Sequence, residues 1–328
     1  MKLQDLLIYR NQLQDIINGD KNIQALLFAH LNKFNKTVNS SNFDTNNLKH
    51  DMFKNQAEIL ENLKDLYSNL NTMYDSLELQ ITDLEQNYII KSEKIYKDDL
   101  EKPYQLKDNE YENLPLFGKP GYIEDAGHDS NKKFVGTLLK YTDFKWPGLE
   151  LGPAKGDLTK KIVALDPLYI ADTDINKFKH VQKLWNDIYQ KRLRYYVLDD
   201  SVEDPMHQLP KDQFGFIVAC DWFNFKPQDV VQRYLQSAFG LLRPGGAILF
   251  TYNNCCYPKA VDKVEEMYYT YINGNTLKKH CESIGFKIIS EYNGEKEADW
   301  CASWLELQRP GELTSLRGGQ NLAEINKL

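Results

Sequence analysis

The chain is poor in cysteine, with 5 among 328 residues, and Cys220, Cys255, Cys256, Cys281 and Cys301 form no C-x-x-C pair. A disulfide scaffold and a thiol redox motif are therefore not expected, and the thiols are read as free in a reducing compartment. Cys255, Cys256 and His280 match no known zinc spacing, so no metal is expected. A bilayer-spanning helix needs about 20 apolar residues in a row, and no such run occurs. The apolar start after Lys2 is broken by Gln4, Asp5 and Arg10, which argues against a secretory signal. The chain also lacks an excess of positive charge: Lys plus Arg is 40 against 47 for Asp plus Glu, a formal net charge of −7. General nucleic-acid binding is not expected from that balance. The expectation is a soluble, cytoplasmic protein with no membrane partner.

Apolar residues make up 42% and charged residues 27%, a globular composition, and the length suits two domains. Residues 1–47 read as short amphipathic helices followed by a linker. Leu3, Leu6, Leu13 and Ile17 share one face, Ile23, Leu27 and Leu31 another, and TVNSSNFDTNN is polar and turn-rich. Residues 48–102 read as one long helix. Ile59, Leu63, Leu66, Leu70, Met73, Leu77, Ile81, Leu84, Tyr88, Lys91 and Ile95 step by three and four with one stutter, and no Gly or Pro interrupts them. This stripe calls for a cover: a second copy or another helical partner in a coiled coil, residues 1–36 folded back, or the domain that follows. Between 51 and 102 there are 12 acidic and 6 basic residues, so most of the net charge sits on this rod, as on a solvated face. Residues 103–145 are a connector rich in Pro, Gly and Asp, with a short helix expected over 134–141, and 311–328 is a tail.

Residues 146–310 change to strand–helix alternation, the pattern of an α/β fold with a mostly parallel, doubly wound sheet and a late antiparallel strand. Strands are expected at 149–151, 162–165, 194–198, 216–220, 247–251, 286–292 and 303–308. Helices are expected at 174–191, 227–242, 260–269 and 275–284, the last stopped by Gly285. Such sheets bind ligands at the carboxyl ends of their strands. There the chain places Glu150-Leu-Gly-Pro-Ala-Lys-Gly156, then Asp166, then Asp199-Asp200, then Asp221, then Asn253-Asn254.

The first of these segments resembles the opening motif of the class I S-adenosylmethionine-dependent methyltransferases. Leu241-Leu-Arg-Pro-Gly-Gly-Ala-Ile-Leu-Phe250 is similar to the turn before their fifth strand, and 277–289 to their leucine-patterned helix, Gly-Phe turn and sixth strand. The resemblance covers about 146–308. It implies a Rossmann-like fold and S-adenosylmethionine as cofactor, held by Glu150, Gly152, Gly156, Asp166, Asp199 and Asp200. Asp166 is assigned to the ribose hydroxyls and Asp199 or Asp200 to the adenine amino group. The Asn- and Lys-rich composition fits an AT-rich genome, and fusions of this kind occur in bacteriophages. That implies host cytoplasm or a virion as the setting, and phage structural proteins as partners.

Asp221 is the candidate general base for an acceptor, with Trp222, Asn253 and Asn254 as substrate residues. The alternative is a non-catalytic, methyltransferase-like assembly module. The chain departs from the family in three ways: Ala154 stands at the middle glycine, only ten residues separate Gly156 from Asp166, and Asp221-Trp-Phe-Asn224 is not the Asp/Asn-Pro-Pro-aromatic signature of enzymes that methylate exocyclic base nitrogens. A nicotinamide G-x-G-x-x-G turn, a phosphate-binding loop and a nucleophile elbow are absent from the corresponding positions.

Overall fold

The structure is a computed structural model that describes residues 3, 5–19, 46–101, 129–293 and 303–313. The expected helices of 20–36, the linker, most of the connector and most of the tail lie outside the described residues. So do Cys301 and the side chains of Ile59 and Leu63. The chain divides into two compact units, residues 1–87 and 88–328. Among the described residues no helix is long and apolar enough to cross a membrane.

In the first unit, helix α1 (5–19) buries Leu6, Leu7, Leu13 and Ile17. Helix α2 (Asn46–Glu101) holds 56 residues without Gly or Pro, and its final turns belong to the second unit. Arg10 of α1 lies 3.8 Å from Glu78 of α2. The covered face of α2 differs from the expected stripe. Leu66 and Met73 are 49% and 58% exposed, while Tyr67 and Tyr74 are half-buried and Ile81 is buried. Tyr67, Tyr74, Ile81, Tyr88 and Ile95 step by seven throughout, as do Leu70, Leu77, Leu84 and Lys91. The heptad thus runs without a stutter once tyrosines are allowed at the seam.

The second unit is built on a seven-stranded sheet: β1 (Gly148–Leu151), β2 (Leu168–Asp172), β3 (Leu193–Val197), β4 (Phe214–Ala219), β5 (Leu242–Tyr252), β6 (Lys287–Tyr292) and β7 (Ser303–Gln308). The order is 3-2-1-4-5-7-6, with β1 to β5 parallel and β7 antiparallel to both β5 and β6. This is the doubly wound, mostly parallel Rossmann-like sheet the alternation calls for. Helix α3 (Asp129–Lys140) precedes it. Helices α4 (Asp157–Ile162), α5 (Phe178–Gln182), α6 (Asp187–Gln190), α7 (Gln228–Leu241), α8 (Pro258–Glu265) and α9 (Gly274–Ile284) connect its strands.

Side chains alternate along each strand, so the sheet carries two cores. Leu149, Leu151, Ile217, Ile248 and Phe250 pack with Val231, Tyr234 and Leu235 of α7 and Leu277 of α9. Ile170, Phe216, Val218 and Leu249 pack on the other face with Phe134 and Leu138 of α3, Leu158 and Ile162 of α4 and Val181 of α5.

Two elements correct the sequence reading. Residues 162–165 are not a strand: Ile162 ends α4, a turn follows, and β2 begins at Leu168, after a cis Asp166–Pro167 peptide. Nor is 174–191 one helix. It breaks into a 3-10 turn at Ile175–Lys177, α5 and α6, the last opened by Asn186, whose side chain accepts from Tyr189 N.

The boundaries of α9 are written locally. Asn273 accepts from the N–H groups of Asn275 and Thr276, and Gly285 ends the helix at φ +109°. A Cβ there would lie 3.2 Å from Phe239 Cζ. We expect Gly285→Ala to lower the unfolding free energy by about 1–2 kcal/mol through the forced positive φ. Urea denaturation of the full chain measures it, and an unchanged midpoint contradicts the assignment.

Candidate functional site

Parallel pairing brings the strand ends into register. Tyr196, Ala171, Leu151, Ala219 and Phe250 form one row across β3-β2-β1-β4-β5. The residues one step beyond that row in β2, β1 and β4 are Asp172, Gly152 and Cys220. The candidate site is the edge these residues begin.

Asp166 is not at that edge. It precedes β2, its N–H donates to Trp146 O, and its carboxylate pairs with Arg192 at 3.1 Å. Six residues of extended chain, about 20 Å, separate it from the carboxyl end of the strand. The acid that does end β2 is Asp172, fully buried. Its Oδ1 accepts from Asp174 N at 3.0 Å and faces Lys177 at 3.3 Å. Its Oδ2 is buried with no hydrogen-bond partner among the described residues. Sequence reasoning missed Asp172, although the spacing of only ten residues from Gly156 to Asp166 was the signal. Gly156 to Asp172 leaves room for α4 and a full strand.

Gly152 follows β1 at φ +71°, with its N–H donating to Ala171 O at 2.9 Å. The space a Cβ would take is occupied by the Trp222 indole, which is 7% exposed. Gly156 opens α4 at φ +88°, and the Leu184 side chain fills the corresponding space there. Ala154 between them also has positive φ, +47°. This is a tight, strained turn at a strand end, and strain of this kind clusters at ligand sites.

Glu150 is buried on β1 between Ile170 and Val218. Burial pushes its carboxyl up to about 7, against one opposing hydrogen bond from Thr159 Oγ1 at 2.7 Å. Asp221, half-buried after β4 at φ +50°, is likewise pushed up to about 7 by burial. Tyr269 Oη donates to its Oδ1 at 3.1 Å, and its backbone N–H donates to Thr251 Oγ1 at 2.6 Å. The Cys220 thiol beside them is raised well above its usual value, by burial first and then by Asp221 and Glu150.

Asp199 and Asp200 divide. Asp199 is exposed and accepts from Ser201 N and Oγ, which hold its carboxyl below the usual range. Asp200 is 8% exposed. Burial acts to raise its carboxyl, but the Lys226 ammonium at 2.5 Å and hydrogen bonds from Lys226, Tyr234 and Tyr96 hold it below normal.

The residues expected to hold an acceptor are placed differently. Asn253 is fully buried, and its amide donates to Ala260 O and Thr270 O, both at 3.0 Å, within the loops after β5. Asn254 donates to Asn293 Oδ1 and accepts from Cys256 N. Both amides hold loops, while Asn253 Oδ1 is buried with no hydrogen-bond partner among the described residues. Trp222 packs on Gly152 and not on an open face. The structure adds Tyr269, and Tyr268 beside it with ring centroids 4.6 Å apart, as neighbours of Asp221.

A pH prediction follows from Glu150. A carboxyl raised in the fold favours the native state below its unfolded value, about 4.3, and loses that advantage as pH rises through about 7. Between pH 5 and 8 we expect Glu150→Gln to remove on the order of 2–3 kcal/mol of the wild-type decline in stability. Urea unfolding of both chains at the two pH values tests it, and parallel curves overturn it.

No protein-family model and no curated protein sequence matches the chain. Among solved structures it is similar to an S-adenosylmethionine-dependent methyltransferase from Mesorhizobium loti, at 14% identity and TM-score 0.47, over 57% of this chain and 100% of that one. It is also similar to the N-methyltransferase NodS from Bradyrhizobium japonicum WM9 in complex with S-adenosyl-L-homocysteine, at 13% identity and TM-score 0.43, over 58% and 93%. A third is phosphoethanolamine N-methyltransferase 2 from Haemonchus contortus, at 11% identity and TM-score 0.42, over 55% and 53%.

Proposed function

We propose that the second unit is an S-adenosylmethionine-dependent methyltransferase domain in which Asp172, and not Asp166, accepts from the ribose hydroxyls. The observation that carries this reading is the unpartnered, fully buried Asp172 Oδ2 in one row with the strained Gly152 turn. A buried acceptor without a donor is costly, on the order of 1–3 kcal/mol, and a vicinal diol supplies what is missing.

When bound, such a cofactor supplies a methyl on a sulfonium that departs as a neutral thioether, so alignment rather than acid catalysis dominates the rate. On this reading Asp172 fixes the ribose, and the turn from Gly152 to Gly156 offers backbone at close range once the Trp222 indole rotates away. Glu150 holds α4 against β1 through Thr159. Asp221 receives the proton of an acceptor ammonium or hydroxyl, and its basic form grows as pH rises through about 7.

A second reading has its own observation. The protein fills the space over Gly152 with Trp222 and satisfies Asp200 with Lys226, Tyr234 and Tyr96. A domain closed by its own side chains fits the non-catalytic assembly module, in a phage particle or elsewhere. Association through residues 48–102 with a second copy or another helical partner belongs to either reading. Sedimentation equilibrium of the full chain tests self-association, and a monomer at micromolar concentration removes it.

Calorimetric titration with S-adenosylhomocysteine separates the readings. We expect Asp172→Ala to weaken binding at least ~10-fold, the loss of charge-assisted hydrogen bonds, and Asp166→Ala to leave it unchanged. Absence of heat from the wild type and every variant at millimolar ligand supports the assembly module.

A further inference from the structure

The final described turns of α2 dock on the loops beyond the carboxyl ends of β3 and β5. Tyr88 Oη donates to Glu265 Oε1 and Lys91 Nζ to Glu265 Oε2, both at 2.5 Å. Ser92, buried, accepts from Tyr271 N at 2.6 Å, and the rings of Tyr88 and Tyr271 lie 5.6 Å apart. Ile95 is buried, and Tyr96 packs against the core on the α7 side of the sheet. Tyr96 Oη then donates to Asp200 Oδ2 at 2.7 Å.

That last contact enters a closed cluster. Asp200 Oδ2 also accepts from Lys226, and Oδ1 accepts from Tyr234 Oη. Arg233 donates to the backbone oxygens of Asp200 and Val202. The Lys226 ammonium lies 4.2 Å from the Trp222 ring centroid and 5.6 Å from those of Tyr96 and Tyr234, so three aromatic faces surround it. Trp222 in turn lies on Gly152. The chain of contact therefore runs from Tyr96 through Asp200, Lys226 and Trp222 to Gly152. It joins the long helix to two positions that an adenosyl ligand would use, the acid after β3 and the turn after β1.

Building on the reading of the site as adenosyl-binding, we propose that residues 88–96 of α2 are a strap that holds the site closed, with Tyr96 as its latch. Tyr96 and Lys226 occupy both lone pairs of Asp200 Oδ2, while Oδ1, which accepts from Tyr234, keeps one. An adenine read at the Oδ2 that Tyr96 reaches must displace Tyr96. An indole pinned by the Lys226 ammonium must be released before the backbone at Gly152 is reached. Closed and open forms are in equilibrium, and ligand affinity is reduced by the open fraction. Tyr96 is a positioning residue, acting through Asp200 and Lys226.

The test is calorimetric titration of the full chain with S-adenosylhomocysteine, comparing wild type with Tyr96→Phe and Tyr88→Phe. Tyr96→Phe keeps the ring and removes the donor. It is expected to bind ~10-fold more tightly, the worth of one hydrogen bond to a charged acceptor. Tyr88→Phe, anchored at Glu265 away from Asp200, is expected to tighten binding by a smaller factor. Damage to the fold weakens binding, so tightening is a readout that a merely structural tyrosine does not give. In wild type, hydrogen exchange of amides 88–96 is expected to quicken when ligand saturates the site. Equal or weaker binding by Tyr96→Phe overturns the strap while a loss on Asp172→Ala leaves the adenosyl reading standing. No binding by any of these chains overturns both.

Discussion

Parallel strands cannot be joined by a tight turn, because each must start again from the same end of the sheet. That constraint puts the carboxyl ends of β1 to β5 along one edge, and every connection leaves from it. The shared row Tyr196–Ala171–Leu151–Ala219–Phe250 is its direct expression. Side chains within the row are apolar because both faces of the sheet are covered. One or two residues further the backbone leaves the ladder, and polar groups enter. Asp172 and Asp221 stand one and two residues past the row, and Asp200 four past Tyr196.

Carboxylates at a buried edge keep or lose their charge according to what lies within hydrogen-bond reach. Glu150 has one hydroxyl, from Thr159, and Asp221 has one, from Tyr269; in both burial prevails and the proton is held to about pH 7. Asp200 is nearly as buried, yet its carboxyl falls below normal because a full positive charge stands 2.5 Å away with two phenols beside it. A lone hydroxyl does not offset removal from water, whereas an ammonium at contact distance does. Two kinds of acid arise from one edge: carboxyls beside β1 and β4 that burial raises, and one beside β3 that its donors lower.

The sheet was legible because its strands are short apolar runs bounded by Gly, Pro and Asp. β1, β3, β4, β5, β6 and β7 fall where those runs fall. The second strand was misplaced because Ile162-Val163-Ala164-Leu165 followed by Asp166-Pro167 imitates a strand with an acidic end. Its apolar residues instead cover the face of α4 and the turn after it. Leu168-Tyr-Ile-Ala-Asp172 carries the same message six residues later, and only the room needed for a helix distinguishes the two. A seam drawn through Leu66 and Met73 needs a stutter at Ile81, whereas one drawn through Tyr67 and Tyr74 does not. The partnership of Tyr96 with Asp200 was not legible at all, since residues 104 apart in sequence leave no local pattern. Asn253 and Asn254 looked like site residues because polar side chains at a strand end often are. Here the Asn253 amide binds the Ala260 and Thr270 carbonyls and the Asn254 amide the Asn293 side chain.

The enzymatic and structural readings of the domain differ less than they first suggest. Both use the same sheet, the same Asp200–Lys226 pair and the same indole on Gly152. Under the proposed strap, what separates them is the free-energy gap between closed and open arrangements of that cluster. A gap of about 3 kcal/mol leaves under about 1% of molecules open and weakens a ligand roughly 100-fold without abolishing it. A gap twice that size makes the closed cluster a permanent part of the core. Tyr96 contributes to the gap from the long helix, outside the sheet.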